Sequence, residues 1–202
     1  MSLRPDLDVV AAMVHDGRRV LDLGCGDGAL LAHLIDERGC DGTGVEISDE
    51  GFHACVARGV PVMVADIDQG LSEVEDDAYD VVILSQTLQA THRPALVLQE
   101  MMRVGKVGIV SFPNFAHWRL RWSLAVRGRM PASRSLPYHW YDTPNIHLCS
   151  IRDFETLLDH EDMVTVRRVL LDERGRPVDD LRRRRPNLLA AGAVYMVGRA
   201  RP

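Results

Sequence analysis

Long apolar runs are missing from this chain of 202 residues, and none reaches the length needed to cross a membrane. The opening Met-Ser-Leu-Arg-Pro-Asp lacks the apolar stretch of a secretory signal, so the expectation is a protein with neither export nor a membrane partner. Cysteine is scarce: Cys25, Cys40, Cys55 and Cys149 form no Cys-x-x-Cys pair and have no histidine at metal-ligand spacing. That excludes the spacing signature of a zinc site, so no metal is expected, and a reducing, cytoplasmic setting is the simple reading. Positive charge is in deficit, with 24 Lys and Arg against 29 Asp and Glu and a net charge of −5, the wrong balance for a general nucleic-acid binder. The local exception is the four arginines at 182–185, stopped by Pro186. With no aromatic beside it, this run reads as a solvated loop ahead of a phosphate or partner patch. A nucleophile elbow and a Cys–His constellation are absent as well, which leaves acyl transfer by the chain itself without support.

What is present is an ordinary globular composition, 46% apolar and 26% charged, at a length suited to a single domain over residues 1–202. Its most informative stretch is Val-Leu-Asp-Leu-Gly-Cys-Gly-Asp-Gly at residues 20–28. Residues 20–23 form a short apolar run broken by one acid, as in a strand buried on both faces of a parallel sheet. Gly24, Gly26 and Gly28 then make a turn that requires positive φ or a close backbone approach. Ala29, Leu30, Leu31, Leu34 and Ile35 follow at helical spacing. A strand, glycine turn and helix place free backbone N–H groups at a helix N-terminus, where a carboxylate or phosphate is attracted. The string fits two templates. Gly24-x-Gly26-x-x-Ala29 satisfies the relaxed dinucleotide fingerprint. Asp22-x-Gly24-x-Gly26-x-Gly28 resembles the glycine loop of class I S-adenosylmethionine (SAM) methyltransferases. Asp22 favours the second: beside a pyrophosphate it repels, and beside the cationic amino group of SAM it attracts.

Strands and helices alternate through the first half. Strands are expected at 20–23, 42–46, 61–65, 79–85 and 106–112, and helices at 6–14, 28–37, 49–57 and 94–103. This predicts an α/β fold with helices on both faces of a parallel sheet and all strand ends on one edge. Glu46 closes the second strand, 24 residues after Asp22, where a carboxylate can accept both hydroxyls of a ribose. Asp66 closes the third. Composition then changes: seven of the eleven aromatics fall in 112–141, together with Arg119, Arg121, Arg127, Arg129 and Arg134. Residues 114–148 read as a helix plus an irregular cover over the ligand edge. Trp118 and Trp122, four apart on one helix face, are expected to pack this insert onto the sheet. Tyr138, Trp140, Tyr141, Asn145 and His147 are candidates to line a substrate or partner site. A helix at 151–158 capped by Ser150 and strands at 163–171 and 193–198 close the chain.

Several motifs together carry a family resemblance. The glycine loop, Ser-Gln-Thr-Leu-Gln-Ala-Thr at 85–91, Ser-Phe-Pro-Asn-Phe at 111–115, Arg-Gly-Arg-Met-Pro at 127–131 and Tyr-Asp-Thr-Pro-Asn-Ile-His-Leu-Cys at 141–149 resemble the methionine biosynthesis protein MetW family from about residue 3 to 172. The resemblance implies a Rossmann-like class I methyltransferase fold: a mostly parallel seven-stranded sheet whose last strand is antiparallel. It implies SAM or S-adenosylhomocysteine as ligand, with Asp66 hydrogen-bonding the adenine amine and with Cys25, Ile47, Ile67 and Gln86 completing the cofactor set of Asp22, Gly24, Gly26, Glu46 and Asp66. It also implies a homoserine O-acyltransferase of MetX type as partner. The chemistry stays open. Ser85-Gln86-Thr87-Leu88 replaces the Asn/Asp-Pro-Pro-aromatic motif of amino-group methylases, which speaks against a nucleobase or glutamine acceptor. No close Asp–His pair marks a base; His92, His117, His139 and His147 are the histidines that could serve, and His147 and Tyr141 are the catalytic candidates. An accessory subunit that binds SAM and a methyltransferase acting on a small acceptor are the two hypotheses, and a NAD-linked oxidoreductase is a distant third.

Overall fold

A computed structural model describes residues 3–131, 133, 136, 139–178 and 184–200; Arg134, Tyr138, Arg182 and Arg183 lie outside the described residues. Seven strands, β1 (Arg19–Leu23), β2 (Asp41–Glu46), β3 (Val62–Val64), β4 (Tyr79–Ser85), β5 (Gly105–Pro113), β6 (Met163–Leu171) and β7 (Gly192–Arg199), form one sheet in the order β3-β2-β1-β4-β5-β7-β6. The pairings among β1 to β5 are parallel, and β7 runs antiparallel to both β5 and β6. The helices are α1 (Pro5–Ala11), α2 (Ala29–Arg38), α3 (Asp49–Ala57), α4 (Pro94–Val104), α5 (Trp118–Arg127), α6 (Ile151–His160) and the single turn α7 (Pro186–Leu189). The expected architecture is therefore present, including the antiparallel last strand.

Alternation along the strands builds two cores. Val20 of β1 and Ile83 of β4 point to the face covered by α1, α2 and α3, where Val10, Leu30, Leu31, Leu34 and Cys55 are buried. Leu21 and Leu23, with Val82 and Leu84, point to the opposite face and meet Val97, Leu98 and Met101 of α4 and Phe154 and Leu158 of α6. Phe154 locks α6 to the sheet, its ring centroid 4.6 Å from Phe112 and 5.0 Å from Tyr195. The expected cap of α6 is made: Ser150 and Asp153 bond each other's backbone N–H groups at 3.2 and 3.1 Å.

Helix α5 is attached differently. Among its residues Leu120 alone is buried, whereas Trp118 is 44% and Trp122 67% exposed. This corrects the expectation that the two tryptophans pack the insert onto the sheet. At 100° per residue the helix carries two apolar stripes, Leu120 with Leu124 and Trp118 with Trp122 and Val126. Leu120 of the first faces the body while Leu124 is 43% exposed, and the second, bordered by Arg119 and Arg121, faces outward.

The strand order places the topological switch between β1 and β4, since the chain builds outward through β2 and β3 and then returns to the other side of β1. The carboxyl ends of these strands, and the loops after them, form the ligand edge.

Candidate functional site

Asp22 is the penultimate residue of β1, in register with Gly44 of β2 and Ile83 of β4. It is 3% exposed, and its Oδ1 is buried without a hydrogen-bond partner. Burial, and after it the nearby Glu46 carboxylate, pushes its carboxyl up to about 7. A carboxyl held this way in an apolar strand is unfavourable to the fold when ionised, and it is available to a cation.

The turn after Asp22 is more self-satisfied than a free anion cradle. The N–H groups of Gly24 and Cys25 both donate to Val45 O, at 2.8 and 3.1 Å, and that of Gly26 donates to Glu46 Oε2 at 2.8 Å. Gly28 N–H is taken by Cys25 O at 3.0 Å and Ala29 N–H by Asp27 Oδ1 at 3.2 Å. The expectation of free N–H groups awaiting a phosphate is thus corrected for Gly24, Cys25, Gly26, Gly28 and Ala29. The β1–β2 register brings Val45 O and Glu46 under the turn, and they consume its donors. What the turn presents to the cleft is acidic. Gly24 (φ +72°) is required by a close approach as well, since a Cβ there would lie 2.6 Å from Thr87 Cγ2. Gly26 (φ +57°) faces open space, and a Cβ on it would have nothing within 4 Å.

Glu46 is itself heavily engaged. Oε1 accepts from Ile47 N–H, Ser48 N–H and Ser48 Oγ at 3.0, 2.9 and 2.9 Å, leaving spare acceptor capacity mainly on Oε2. Asp66 caps a 3-10 turn (Ile67–Gln69), its Oδ1 accepting Asp68 N–H at 3.0 Å and its Oδ2 accepting Gln69 Nε2 at 3.0 Å. Ile47, directly after Glu46, is 62% exposed. Behind the turn, Cys25 Sγ lies 3.6 Å from Cys55 Sγ, and both thiols are free. Burial pushes both thiols up, so they serve as small apolar packing groups.

A cleft of about 690 Å³ runs past the turn. Asp22, Gly24, Cys25, Gly26 and Gln86 of the expected cofactor set line it, together with Ser85 and Thr87. Glu46, Ile47, Asp66 and Ile67 lie at the neighbouring strand ends, outside its lining. The sequence reading did not include Leu3, Arg4 and Leu7 from the N-terminal helix region, or Arg58, which clamps the turn through Asp27 O at 2.8 Å and Asp27 Oδ2 at 2.7 Å. No local pattern announces them, because each arrives through tertiary packing of α1 or α3. Gln86 sits at the end of β4 with φ +57°, a backbone conformation rare outside glycine, and its N–H is held by Ser111 O at 2.9 Å.

Beyond Gln86 lies a second cleft of about 430 Å³ that shares Gln86 and Arg4 with the first. Asn145 lines it. The chain at 146–147 is fastened here: Ile146 and His147 N–H both donate to Gln89 O, at 2.8 and 2.9 Å. Asn114, fully buried, ties the same region to α7 and α6, donating to Ala190 O at 2.7 Å and accepting Ala116 N–H at 3.1 Å. Trp140 and Tyr141 are 73% and 68% exposed, and Tyr141 stacks on His139 at 5.3 Å. Neither Tyr141 nor His147 lines either of these clefts; His147 borders a smaller apolar recess with Leu88, Phe112 and Leu157. Among the described residues, no group of three His, Cys, Asp or Glu side chains could hold a metal ion, and no helix is long and apolar enough to cross a membrane.

Comparison with known proteins places this geometry. A [4+2]-cyclase, SpnF, superposes with a TM-score of 0.68 at 16% identity over 97% of this chain and 81% of its own. A SAM-dependent methyltransferase from Methanosarcina mazei superposes with a TM-score of 0.69 at 14% identity, over the full length of both chains. At such identities the likeness establishes the fold, and it is a fold that serves more than one chemistry. The bifunctional methionine biosynthesis protein MetXA/MetW of Rhodopirellula baltica is 37% identical over 182 residues, which is 86% of this chain and 28% of that relative's length. The profile of the methionine biosynthesis protein MetW matches residues 4–197, and the chain belongs to that family.

Proposed function

We propose that this protein is a SAM-binding subunit of methionine biosynthesis that supports a homoserine O-acyltransferase of MetX type. The observation that carries the reading is Asp22, a buried carboxyl with an unpartnered oxygen beside a glycine turn in which the N–H groups of Gly24, Cys25 and Gly26 are already bonded. Such a site suits a cationic ligand and disfavours a pyrophosphate. SAM carries an ammonium and a sulfonium. In this reading Asp22 holds the ammonium, Gly26 leaves room for the ligand, Glu46 Oε2 and Asp66 face the ribose and adenine, and the exposed Ile47 covers the base.

Two observations support the partner. The Rhodopirellula relative carries MetXA and MetW names on one chain, and fusion keeps two units within linker reach of each other. Helix α5 presents Trp118, Trp122 and Val126 outward between arginines, and Trp140 and Tyr141 of the cover are exposed too. Tryptophan, tyrosine and arginine are the residues enriched at interface hot spots.

The test is a reconstituted homoserine acylation assay with and without this chain, repeated with SAM present. Acceleration by the chain is expected; an unchanged rate from a co-purifying pair would overturn the accessory role. Calorimetric titration with SAM, S-adenosylhomocysteine and NAD checks the ligand, and binding of NAD in preference to SAM would refute it. A second reading, methyl transfer to a small acceptor, draws on the cleft that opens beyond Gln86. A labelled-methyl survey of cell extract decides it, and absence of transfer to any component would count against it.

A further inference from the structure

The second cleft has a chemistry of its own. Gln89, 5% exposed, lies between this cleft and the smaller recess beside His147, and it donates its Nε2 to Gln86 O while its Oε1 is buried with no hydrogen-bond partner. The amide orientation is determined by that bond, because exchanging its O and N would set oxygen against the Gln86 carbonyl. A buried acceptor left unpaired is unfavourable until something supplies an N–H or O–H.

Other polar groups around the cleft are also uncommitted. The Arg174 guanidinium has no partner among the described residues; only its backbone N–H is used, by Asp172. Gln86 and Asn145 line the same space. Arg4 and Asp6 form an ion pair at 3.2 Å along the wall. Charges of both signs therefore line the cleft, Arg4 and Arg174 with Asp6, Asp172 and Glu173. A polyphosphate meets too many acids there, and a largely apolar ligand would strand the amides and the arginine.

We propose that this second cleft binds a small zwitterionic α-amino acid, its carboxylate on Arg174 and its ammonium toward Gln89 Oε1 and Asp6. Such a ligand supplies the missing donor to the amide oxygen and the missing anion to the guanidinium in one molecule. The backbone carbonyl of the same Gln89 holds Ile146 and His147, so the occupied side chain and the fastened cover belong to one residue. The site stands on these groups, and only the choice of first probe rests on the function proposed above.

The experiment is calorimetric titration of the full chain, with SAM at saturation, using L-homoserine and L-methionine as probes and homoserine lactone as a control without a carboxylate. Saturable binding of at least one amino acid at millimolar affinity or tighter is expected, with no binding of the lactone. Arg174→Gln, at an exposed position, should weaken that binding by about tenfold or more while leaving SAM affinity unchanged. Gln89→Leu should weaken it in the same direction; if that variant fails to fold, Arg174→Gln alone decides. Binding of neither amino acid, equal binding of the lactone, or unchanged affinity in Arg174→Gln would overturn the proposal. Amino-acid binding that SAM competes away would also overturn it, because the probe would then occupy the first cleft. Loss of SAM binding with amino-acid binding intact would refute the SAM reading and leave this one standing.

Discussion

Replacing Asp22 with asparagine separates what the carboxyl does for the fold from what it does for the ligand. In the folded protein the carboxyl is raised from 3.8 to about 7 by burial and by Glu46. A carboxyl raised on folding means that the native state binds more protons than the unfolded chain, so stability falls as pH rises between the two values. The loss is absent below the unfolded value near 4 and complete above about 7. At about 1.4 kcal/mol per pH unit the interval corresponds to about 4 kcal/mol, an upper figure because water entry relieves part of it. An asparagine keeps the shape and cannot ionise. Asp22→Asn should therefore match the wild type at about pH 3 and exceed it at pH 8 by about 2–4 kcal/mol, or roughly 4–16 °C in Tm for a chain of this size. Urea denaturation at the two pH values measures this directly. Equal stability of variant and wild type at pH 8 would refute the account of Asp22 as a buried, uncompensated acid.

The same substitution should act oppositely on ligand affinity. A cation bound by ionised Asp22 requires the carboxyl to lose its proton, so wild-type affinity for SAM should fall up to tenfold per pH unit below about 7. The asparagine variant lacks both that dependence and the charged contact, weakening SAM by about 1.5–3 kcal/mol. A stabilised variant that also binds SAM with wild-type affinity would mean that the ligand does not touch Asp22.

Three further outcomes are expected. Glu46→Gln removes charge from an acceptor of four hydrogen bonds, Gly26 N–H among them, and should cost about 1–3 kcal/mol of stability by urea titration along with ordered amide signals for residues 24–28. Gly24→Ala adds left-handed strain to a contact of 2.6 Å with Thr87, for a loss of about 2 kcal/mol or more; a compensating Thr87→Ala should recover the steric part alone in a double-mutant cycle. Replacing both Trp118 and Trp122 by serine removes exposed rings and should leave stability within about 0.5 kcal/mol while abolishing any acceleration of homoserine acylation, and an unaffected acylation assay would remove α5 from the interface.

Much of this fold is written locally. The runs at 20–23, 79–85 and 106–112 are apolar because their strands are buried on both faces, and the glycine positions mark where the chain turns away from the sheet edge. Asp22 was legible for the same reason, since an acid inside such a run has no ordinary structural role there. Helix α5 shows where local reading fails. Its periodicity contains two apolar stripes, and only tertiary packing decides that Leu120 faces the body and Trp118 and Trp122 face water. The second cleft was illegible because Arg4, Gln89, Asn145 and Arg174 are joined by no spacing rule. They meet because β7 inserts between β5 and β6 and brings the loop after β6 beside the N-terminal helix.

The glycine turn shows why hydrogen-bond accounting outranks motif matching. As a string, residues 24–29 fit a dinucleotide fingerprint and a SAM loop equally well, because within that stretch both templates are met by small residues at a strand–helix junction. The two ligands differ in what they need from the backbone. A pyrophosphate needs N–H donors pointing outward. Here Val45 O takes two of them and Glu46 takes the next, so the donors of residues 24–26 are bonded to the turn's own neighbours. Those neighbours lie at the end of β2, some twenty residues downstream of the turn. The cation selectivity proposed for this site would therefore come from the β1–β2 register, which places an acid beneath the glycines, as much as from the glycines themselves.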